Sequence, residues 1–427
     1  MEKPSRVRFL VLAMVCLLCC IAYLDRVNIS VAAPAIMQEF HINKLELGAV
    51  FAAFSVGYVL LQIPIGRLGD NLGPRTVLTG LVTFWSIITG LTGLATNLFS
   101  LVAARFLFGI GQAGAFPTAT LAFAQWTPVG DRGFFQGLTQ ASARFGGAVT
   151  PWIIAPLIVA WGWRLSFLLC ALVGLVWAAG WYVWYRDNPK DYQSKWGSIN
   201  QAELTLITDD NYASGTVPVL PIGRLLVSKN MWALSASYFC YCYCFWIFIT
   251  WLPTYLVEAR GFSFLGMGFF ASLPLLVGSI GGVLGGWISD KIMARTANLK
   301  LARRAVAMTG LLLAALFLFP GVLTDSPTLS IFCLTGALFG LELSIGIYWT
   351  ACLDVGHEYA GTVSATMNAC GGVSSIVSPF LFGAIVQYTG SWVYPFMVSG
   401  GLLLVGALLW LRFDPELPLS SELHLTK

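Results

Sequence analysis

The chain is 427 residues long, 57% of them hydrophobic and only 10% charged, and its formal net charge is +4. Soluble domains usually carry about 25% charged residues, so this composition excludes an ordinary water-soluble protein. The small positive excess is explained by basic loops and implies no nucleic-acid partner.

Apolar windows long enough to cross a bilayer recur along the whole chain. They predict twelve spans, at 9–34, 46–68, 75–96, 98–124, 132–158, 163–185, 231–256, 263–289, 303–324, 327–353, 359–388 and 391–413. Continuous apolar runs without two-residue alternation favour helices over the strands of a membrane barrel. The predicted fold class is therefore an all-α membrane protein with twelve transmembrane helices, surrounded by the lipid bilayer.

Orientation is predicted from the lysines and arginines of the short loops, which are enriched on the cytoplasmic side of a membrane. Basic residues precede the first span and follow the second and eighth, so both termini and the central loop are expected in the cytoplasm. The first apolar stretch is too long for a cleavable signal and contains Asp25 and Arg26, so we expect it to stay in the mature protein. The ten cysteines lie within predicted spans, where we expect packing groups rather than metal ligands.

An internal repeat divides the chain. Residues 66–70 (GRLGD) at the end of the second span are echoed by 286–290 (GWISD) at the end of the eighth, 220 positions later. Such self-similarity indicates two related halves. The predicted domains are an N-terminal six-helix bundle at 1–185, a cytoplasmic linker at 186–230, a C-terminal six-helix bundle at 231–414 and a cytoplasmic tail at 415–427.

Two motifs resemble those of the major facilitator superfamily. The loop at 66–75 looks like the signature loop of that family, and 105–111 (RFLFGIG) looks like its fourth-span motif. The resemblance implies two parallel halves with a substrate site at their interface near the membrane midplane. The aspartates of the repeated loops accept hydrogen bonds from a helix start or pair with an arginine. We therefore predict a conformational latch formed by Asp70, Arg75 and Asp290.

Five charged residues fall inside predicted spans, where each costs about 2.5–3.5 kcal/mol to insert and is therefore a candidate functional group. They are Asp25, Arg26, Arg105, Arg144 and Glu342. Three arginines against two carboxylates leave a positive excess, and guanidinium binds carboxylate through two hydrogen bonds without losing its proton. The pattern predicts an anionic solute as ligand. The alternative is a set of internal ion pairs that only stabilise the bundle.

Further segments resemble the anion:cation symporter branch of the superfamily, which includes carriers of galactonate, glucarate and hexuronates. They are 23–28 (YLDRVN), 114–117 (GAFP), 250–256 (TWLPTYL) and the pair at 367–368. The resemblance implies substrate contacts at Tyr23, Arg26, Tyr58, Arg105 and Asn368, and proton binding at Asp25. We add Gln112 and Arg144 to the predicted substrate site, since both are polar side chains within spans.

One departure from that branch concerns the coupling ion. Its sugar-acid symporters carry a glutamate where this chain has Gln112, which cannot titrate. The repeat aligns Phe108-Gly109 with Phe339-Gly340 and places Glu342 opposite Gly111, next to Gln112. We therefore predict Glu342 as a second proton carrier. The alternative role is a static counter-ion for Arg26 or Arg144.

The predicted function is secondary active import of an organic anion, a sugar acid or another carboxylate, with protons and by alternating access. The alternative is a proton-independent facilitator, or an antiporter that exports an anionic metabolite or drug. Neither a metalloprotease motif nor an intramembrane nucleophile–base pair is evident, so no enzyme activity is predicted. The protein is expected to need no cofactor beyond the proton, to act as a monomer and to reside in a bacterial inner membrane.

Overall fold

The structure is a computed structural model that describes residues 3–128, 132–196, 199–209, 225, 227–417 and 419. The side chains left outside that description are those of Ile63, Gly66, Arg67, Asp70, Ala124, Arg132, Gly133, Phe134, Trp196, Thr208, Asp209 and Glu358. Within the described ranges the regular elements are all helices. The predicted all-α fold class is therefore confirmed.

The first half of the chain forms eight helices within the described residues. They are α1 (Val7–Phe40), α2 (Lys44–Gly93), α3 (Leu98–Gln112), α4 (Ala115–Trp126), α5 (Arg132–Trp161), α6 (Trp163–Trp184), α7 (Pro189–Trp196) and α8 (Gln201–Asp209). Helix α3 begins with a capping box, in which Asn97 Oδ1 accepts a hydrogen bond from the Ser100 amide and Ser100 Oγ accepts one from the Asn97 amide. This exchange satisfies amides that have no partner within the helix.

The second half forms eight further helices within the described residues. They are α9 (Lys229–Thr250), α10 (Leu252–Glu258), α11 (Phe264–Thr296), α12 (Leu299–Leu323), α13 (Pro327–Leu343), α14 (Ile345–Gly356), α15 (Ala360–Thr389) and α16 (Val393–Arg412). Polar residues with a short side chain cap the starts of four of them, each accepting from a backbone amide three residues on. These caps are Ser228, Ser263, Asn298 and Ser326.

Among the residues that the structure describes, twelve helical stretches are long and apolar enough to cross a bilayer, one at each predicted span. The predicted second and third spans are joined in α2, whose backbone leaves the helical region at Gly73 with φ 79° and ψ 153°. Glycine adopts this conformation without strain. A Cβ atom there would lie 2.6 Å from a carboxylate oxygen of Asp187, which accepts the Arg75 amide at 2.8 Å. The tight turn is thus fixed against the end of α6.

Packing divides the described residues into two units. The first consists of 3–40 and 53–209, and the second consists of 41–52 and 225–419. The beginning of α2 therefore packs within the second unit, where Lys44 Nζ lies 2.8 Å from the Glu258 carboxylate. A Cβ on Gly383 would lie 2.3 Å from the Lys44 carbonyl oxygen, so the two backbones touch directly.

The predicted linker contributes two short helices to the first unit, α7 and α8. Glu203 of α8 is fully buried and accepts the backbone amides of Val7 and Arg8, and it also pairs with the Arg8 guanidinium at 3.1 Å. Because the first amides of a helix have no partner within it, this carboxylate caps α1 from a distant part of the chain.

Two spans are broken at corresponding positions of the internal repeat. The fourth span stops at Gln112 and resumes at Ala115, and the tenth stops at Leu343 and resumes at Ile345. At each break one backbone amide donates a hydrogen bond to the carbonyl three residues earlier in the chain. These amides belong to Ala113 and Ser344. Interrupted helices in matching positions of two halves are a strong structural pointer to a binding site in transporters and related bundles.

Candidate functional site

Arg26 of α1 is held by the residue at which the fourth span breaks. Its Nε donates to Gln112 Oε1 at 2.6 Å, while Gln112 Nε2 donates to the Ala22 carbonyl at 3.2 Å. Both side chains are buried, with Arg26 only 7% exposed. The neutral amide therefore clamps the arginine to the backbone of its own helix without a negative charge.

Aromatic rings surround the Arg26 guanidinium. Its central carbon lies 5.0 Å from the ring centre of Tyr23 and 5.0 Å from that of Tyr58. Phe54 and Phe116 are at 5.2 and 5.7 Å. Each such contact stabilises a cation by about 0.5–2 kcal/mol, more where water is excluded. The rings offset part of the cost of burying this charge.

Asp25 points away from Arg26 because neighbouring residues on a helix face directions about 100° apart. The carboxylate is 1% exposed, and neither oxygen has a hydrogen-bond partner among the described residues. It interacts electrostatically with the Arg105 guanidinium and faces the indole of Trp85. Trp85 Nε1 is itself buried without a hydrogen-bond partner in the described part of the chain.

Arg105 of α3 is 3% exposed and lies over two rings, 4.5 Å from the centre of Phe108 and 5.3 Å from that of Phe54. Its helix is brought close to α2 by two glycines. A Cβ on Gly109 would lie 2.0 Å from the Phe54 carbonyl oxygen, and one on Gly57 would lie 2.2 Å from the Phe106 carbonyl oxygen. This direct backbone contact places Phe54 between Arg105 and Arg26.

The structure brings all the predicted substrate-binding and proton-binding residues of the first unit into one group. We call this group the arginine cluster; its members are Tyr23, Asp25, Arg26, Tyr58, Arg105, Gln112 and Arg144. Arg144 of α5 is half-buried and joins it through the Tyr23 ring, at 5.9 Å from the ring centre. Helix α5 approaches α1 closely, since a Cβ on Gly146 would lie 2.5 Å from the Cys20 carbonyl oxygen.

The arginine cluster carries a positive excess and unused donors. With Asp25 in its ionised form, the three arginines leave the cluster a net charge of +2. Arg26 Nη2 and Arg105 Nε are buried and have no hydrogen-bond partner among the described residues. Buried donors of this kind are normally satisfied, so these two nitrogens are suited to an anionic ligand or to ordered water.

The second unit contains the other two predicted site residues, Glu342 and Asn368. Glu342 of α13 is 3% exposed and accepts a hydrogen bond from Tyr241 Oη at 2.9 Å. Gly278 of α11 makes room for it, because a Cβ there would lie 3.2 Å from Glu342 Cγ. Asn368 is half-buried near the middle of α15.

Two of the three predicted latch residues, Arg75 and Asp290, have partners at the ends of helices. Arg75 donates from Nε and Nη2 to the Tyr182 carbonyl at 2.9 and 2.8 Å. Asp290 is exposed and lies 3.7 Å from Arg303, whose shorter contact is with Asp354 at 2.7 Å. The Asp70 side chain lies outside the described part.

Asp354 and Trp85 were missed by sequence reasoning, because neither lies in a motif and their contacts cross from one helix to another.

Comparisons with known proteins identify the family of the chain. The sequence pattern of the Major Facilitator Superfamily matches residues 15–379. The chain is 41% identical to the probable sulfoacetate transporter SauU of Cupriavidus necator, over 99% of this chain and 97% of that one. It is 30% identical to the hexuronate transporter of Bacillus subtilis, over 96% and 94%, and 30% identical to a D-galactonate transporter of Escherichia coli, over 95% and 95%.

Solved structures share the fold at low sequence identity. An inward-facing bacterial homologue of the human lysosomal transporter Spinster has a TM-score of 0.76 at 19% identity, with 95% of this chain and 96% of that one covered. The inward-open xylose transporter XylE of E. coli also has a TM-score of 0.76, at 15% identity, with 98% and 100% covered.

Proposed function

Because the chain belongs to the Major Facilitator Superfamily, we propose that it imports a small organic anion through a bacterial inner membrane, with protons and by alternating access. It is a multi-pass membrane transporter and not an enzyme. The observation that carries the proposal is the pair of buried arginines, Arg26 and Arg105, which have unused donors and only one carboxylate beside them.

The anion binds through Arg26 and Arg105, since a guanidinium offers two parallel N–H groups to a carboxylate or a sulfonate. Aromatic faces line the approach to both guanidinium groups and exclude water from them. In such surroundings a charge-assisted hydrogen bond is stronger than in water. Tyr23 and Tyr58 supply neutral polar groups for the rest of the solute, and the sequence resemblance adds Asn368 as a further predicted contact.

The proton binds at Asp25. When this carboxylate is ionised it competes with the substrate for the positive charge of Arg105, and when it is protonated Arg105 is released to the anion. The proton and the anion thus favour each other's binding, and the coupling is reciprocal. Gln112 holds Arg26 at every pH, so the substrate site keeps one fixed positive charge.

Glu342 is the second proton carrier. Its burial among apolar helices makes the charged form costly unless it is solvated by donors, and the Tyr241 hydroxyl is such a donor. We expect Glu342→Gln to lower proton-driven uptake at least tenfold and to flatten the dependence of uptake on external pH. We expect Tyr241→Phe to shift the pH range over which uptake changes, without abolishing uptake. If uptake and its pH dependence are unchanged in Glu342→Gln, Glu342 is a static group and not a proton carrier.

The substrate class is a compact anion with at least one carboxylate. Relatives are named for sulfoacetate, hexuronate and galactonate, and all three solutes carry a carboxylate. The net charge of +2 in the arginine cluster favours a dianion over a monoanion. A small sulfonated carboxylate is therefore the first solute to test, followed by singly charged sugar acids.

The deciding experiment is uptake into proteoliposomes loaded at pH 7.5 and diluted into buffer at pH 6.0 or 7.5. We expect sulfoacetate or a sugar acid to accumulate severalfold more at pH 6.0, with alkalinisation of the outer medium that depends on substrate. Empty liposomes and a protonophore serve as controls. Equal uptake at both pH values supports the proton-independent facilitator, and no uptake of any carboxylate overturns anion import.

A further inference from the structure

The end of α11 carries one continuous exposed face that changes character along its length. Ile280, Val283 and Trp287 are each more than half exposed, at 57%, 68% and 56%. They lie three or four residues apart, so they share one side of the helix. Lys291 and Arg295 follow on the same side and are also exposed. The face thus passes from aliphatic to aromatic to basic in the direction of the helix end.

The last part of this face is a groove. Trp287, Ile288, Lys291, Ile292 and Arg295 line it, and its volume is about 270 Å³. The Lys291 ammonium lies over the Trp287 ring at 4.3 Å, which fixes the lysine along the groove. Tryptophan is enriched at the boundary between hydrocarbon and headgroups, and Trp287 between the aliphatic and basic parts of the face is suited to that position. Lys291 and Arg295 lie about 6 and 12 Å beyond it along the helix.

The two basic residues of this groove differ from their neighbours at the same end of the unit. Arg303 is paired with Asp354, Lys300 with Asp414, and Arg304 donates to the Phe413 carbonyl. In the described part of the chain, Lys291 and Arg295 have no carboxylate partner, and Asp290 next to them is drawn towards Arg303. The groove therefore holds two positive charges without local compensation.

We propose that this groove binds the headgroup of an anionic phospholipid, such as phosphatidylglycerol. Lys291 and Arg295 contact the phosphate, Trp287 packs against the glycerol backbone, and Ile280 and Val283 lie along an acyl chain. Charge complementarity selects the anionic headgroup, and the aliphatic part of the face requires a ligand with hydrocarbon chains. The site is separate from the arginine cluster and does not depend on which solute is carried.

The test uses the full-length protein in mild detergent, delipidated and titrated with phosphatidylglycerol, with bound lipid counted by native mass spectrometry. We expect Lys291→Gln/Arg295→Gln to need at least tenfold more lipid for half-occupancy. Trp287→Leu should need severalfold more. The matched control Lys190→Gln/Arg412→Gln removes two exposed charges outside the groove and should stay within twofold of the wild type.

Three results would overturn the proposal. If the groove variant and the control lose bound lipid equally, lipid retention depends on net charge alone. Equal binding of a zwitterionic lipid would remove the role of the two cations. Displacement of the lipid by millimolar glycerol 3-phosphate would assign the groove to a soluble phosphate. Because all the substituted residues are exposed, thermal unfolding of the lipid-free variants should match the wild type, and the comparison is made between folded proteins.

Discussion

Replacement of Arg105 by glutamine should reduce uptake at least a hundredfold. The change removes two charge-assisted hydrogen bonds to the anion, about 1.5–3 kcal/mol each, and it also leaves Asp25 buried without a nearby cation. Breaking a buried pair in this way typically costs about 3–5 kcal/mol, so a lower yield of folded protein is expected as well. Uptake per folded molecule in proteoliposomes is the measurement.

A double variant separates transport from folding. In Arg105→Gln/Asp25→Asn no charge of the pair remains, so thermal stability should recover towards the wild type while uptake stays below a hundredth. Arg105→Lys keeps the charge but loses the bidentate geometry, and we expect an intermediate loss of about tenfold. Wild-type uptake by the double variant would remove Arg105 from the substrate site.

Asp25→Asn should abolish accumulation driven by a proton gradient and preserve exchange of labelled for unlabelled substrate. The asparagine resembles the protonated carboxylic acid, so Arg105 stays available to the anion at every pH. Wild-type uptake is expected to rise as the external medium is acidified, because the proton and substrate bind together. In the variant, uptake should depend less on pH between 5.5 and 8, because only the proposed proton site at Glu342 remains.

Counterflow in the absence of any gradient is the control for Asp25→Asn. It should proceed at a rate within about threefold of the wild type, since binding and reorientation of the loaded carrier need no free proton. A variant that still concentrates substrate against its gradient when the outside is acid would show that Asp25 does not carry the coupling proton.

The fold could be predicted because the bilayer imposes it. Twelve apolar windows gave the twelve spans, since a backbone in hydrocarbon must satisfy its own hydrogen bonds. The breaks after Gln112 and Leu343 were not predicted, because no proline stands there and hydropathy continues through both.

The residues of the candidate site could be predicted from residue type, but their interaction partners could not. Charge inside a span singled out Asp25, Arg26 and Arg105, and the resemblance added the tyrosines. From the sequence, internal ion pairs remained open without a named partner for Asp25, whereas the structure joins Arg26 to Gln112 and sets Asp25 opposite Arg105. Contacts between helices decide which helices face each other, and the periodicity of a single helix does not predict those contacts.

The matching breaks in the fourth and tenth spans have an evolutionary consequence. A duplicated ancestral half would have supplied the same interrupted helix twice, with each copy free to acquire its own chemistry. Here one copy places a neutral amide, Gln112, at its break, and the other places the acid Glu342 beside the corresponding position. Under our proposal that Glu342 binds the second proton, one carboxylate between the two copies is enough, and in this chain it lies in the second copy.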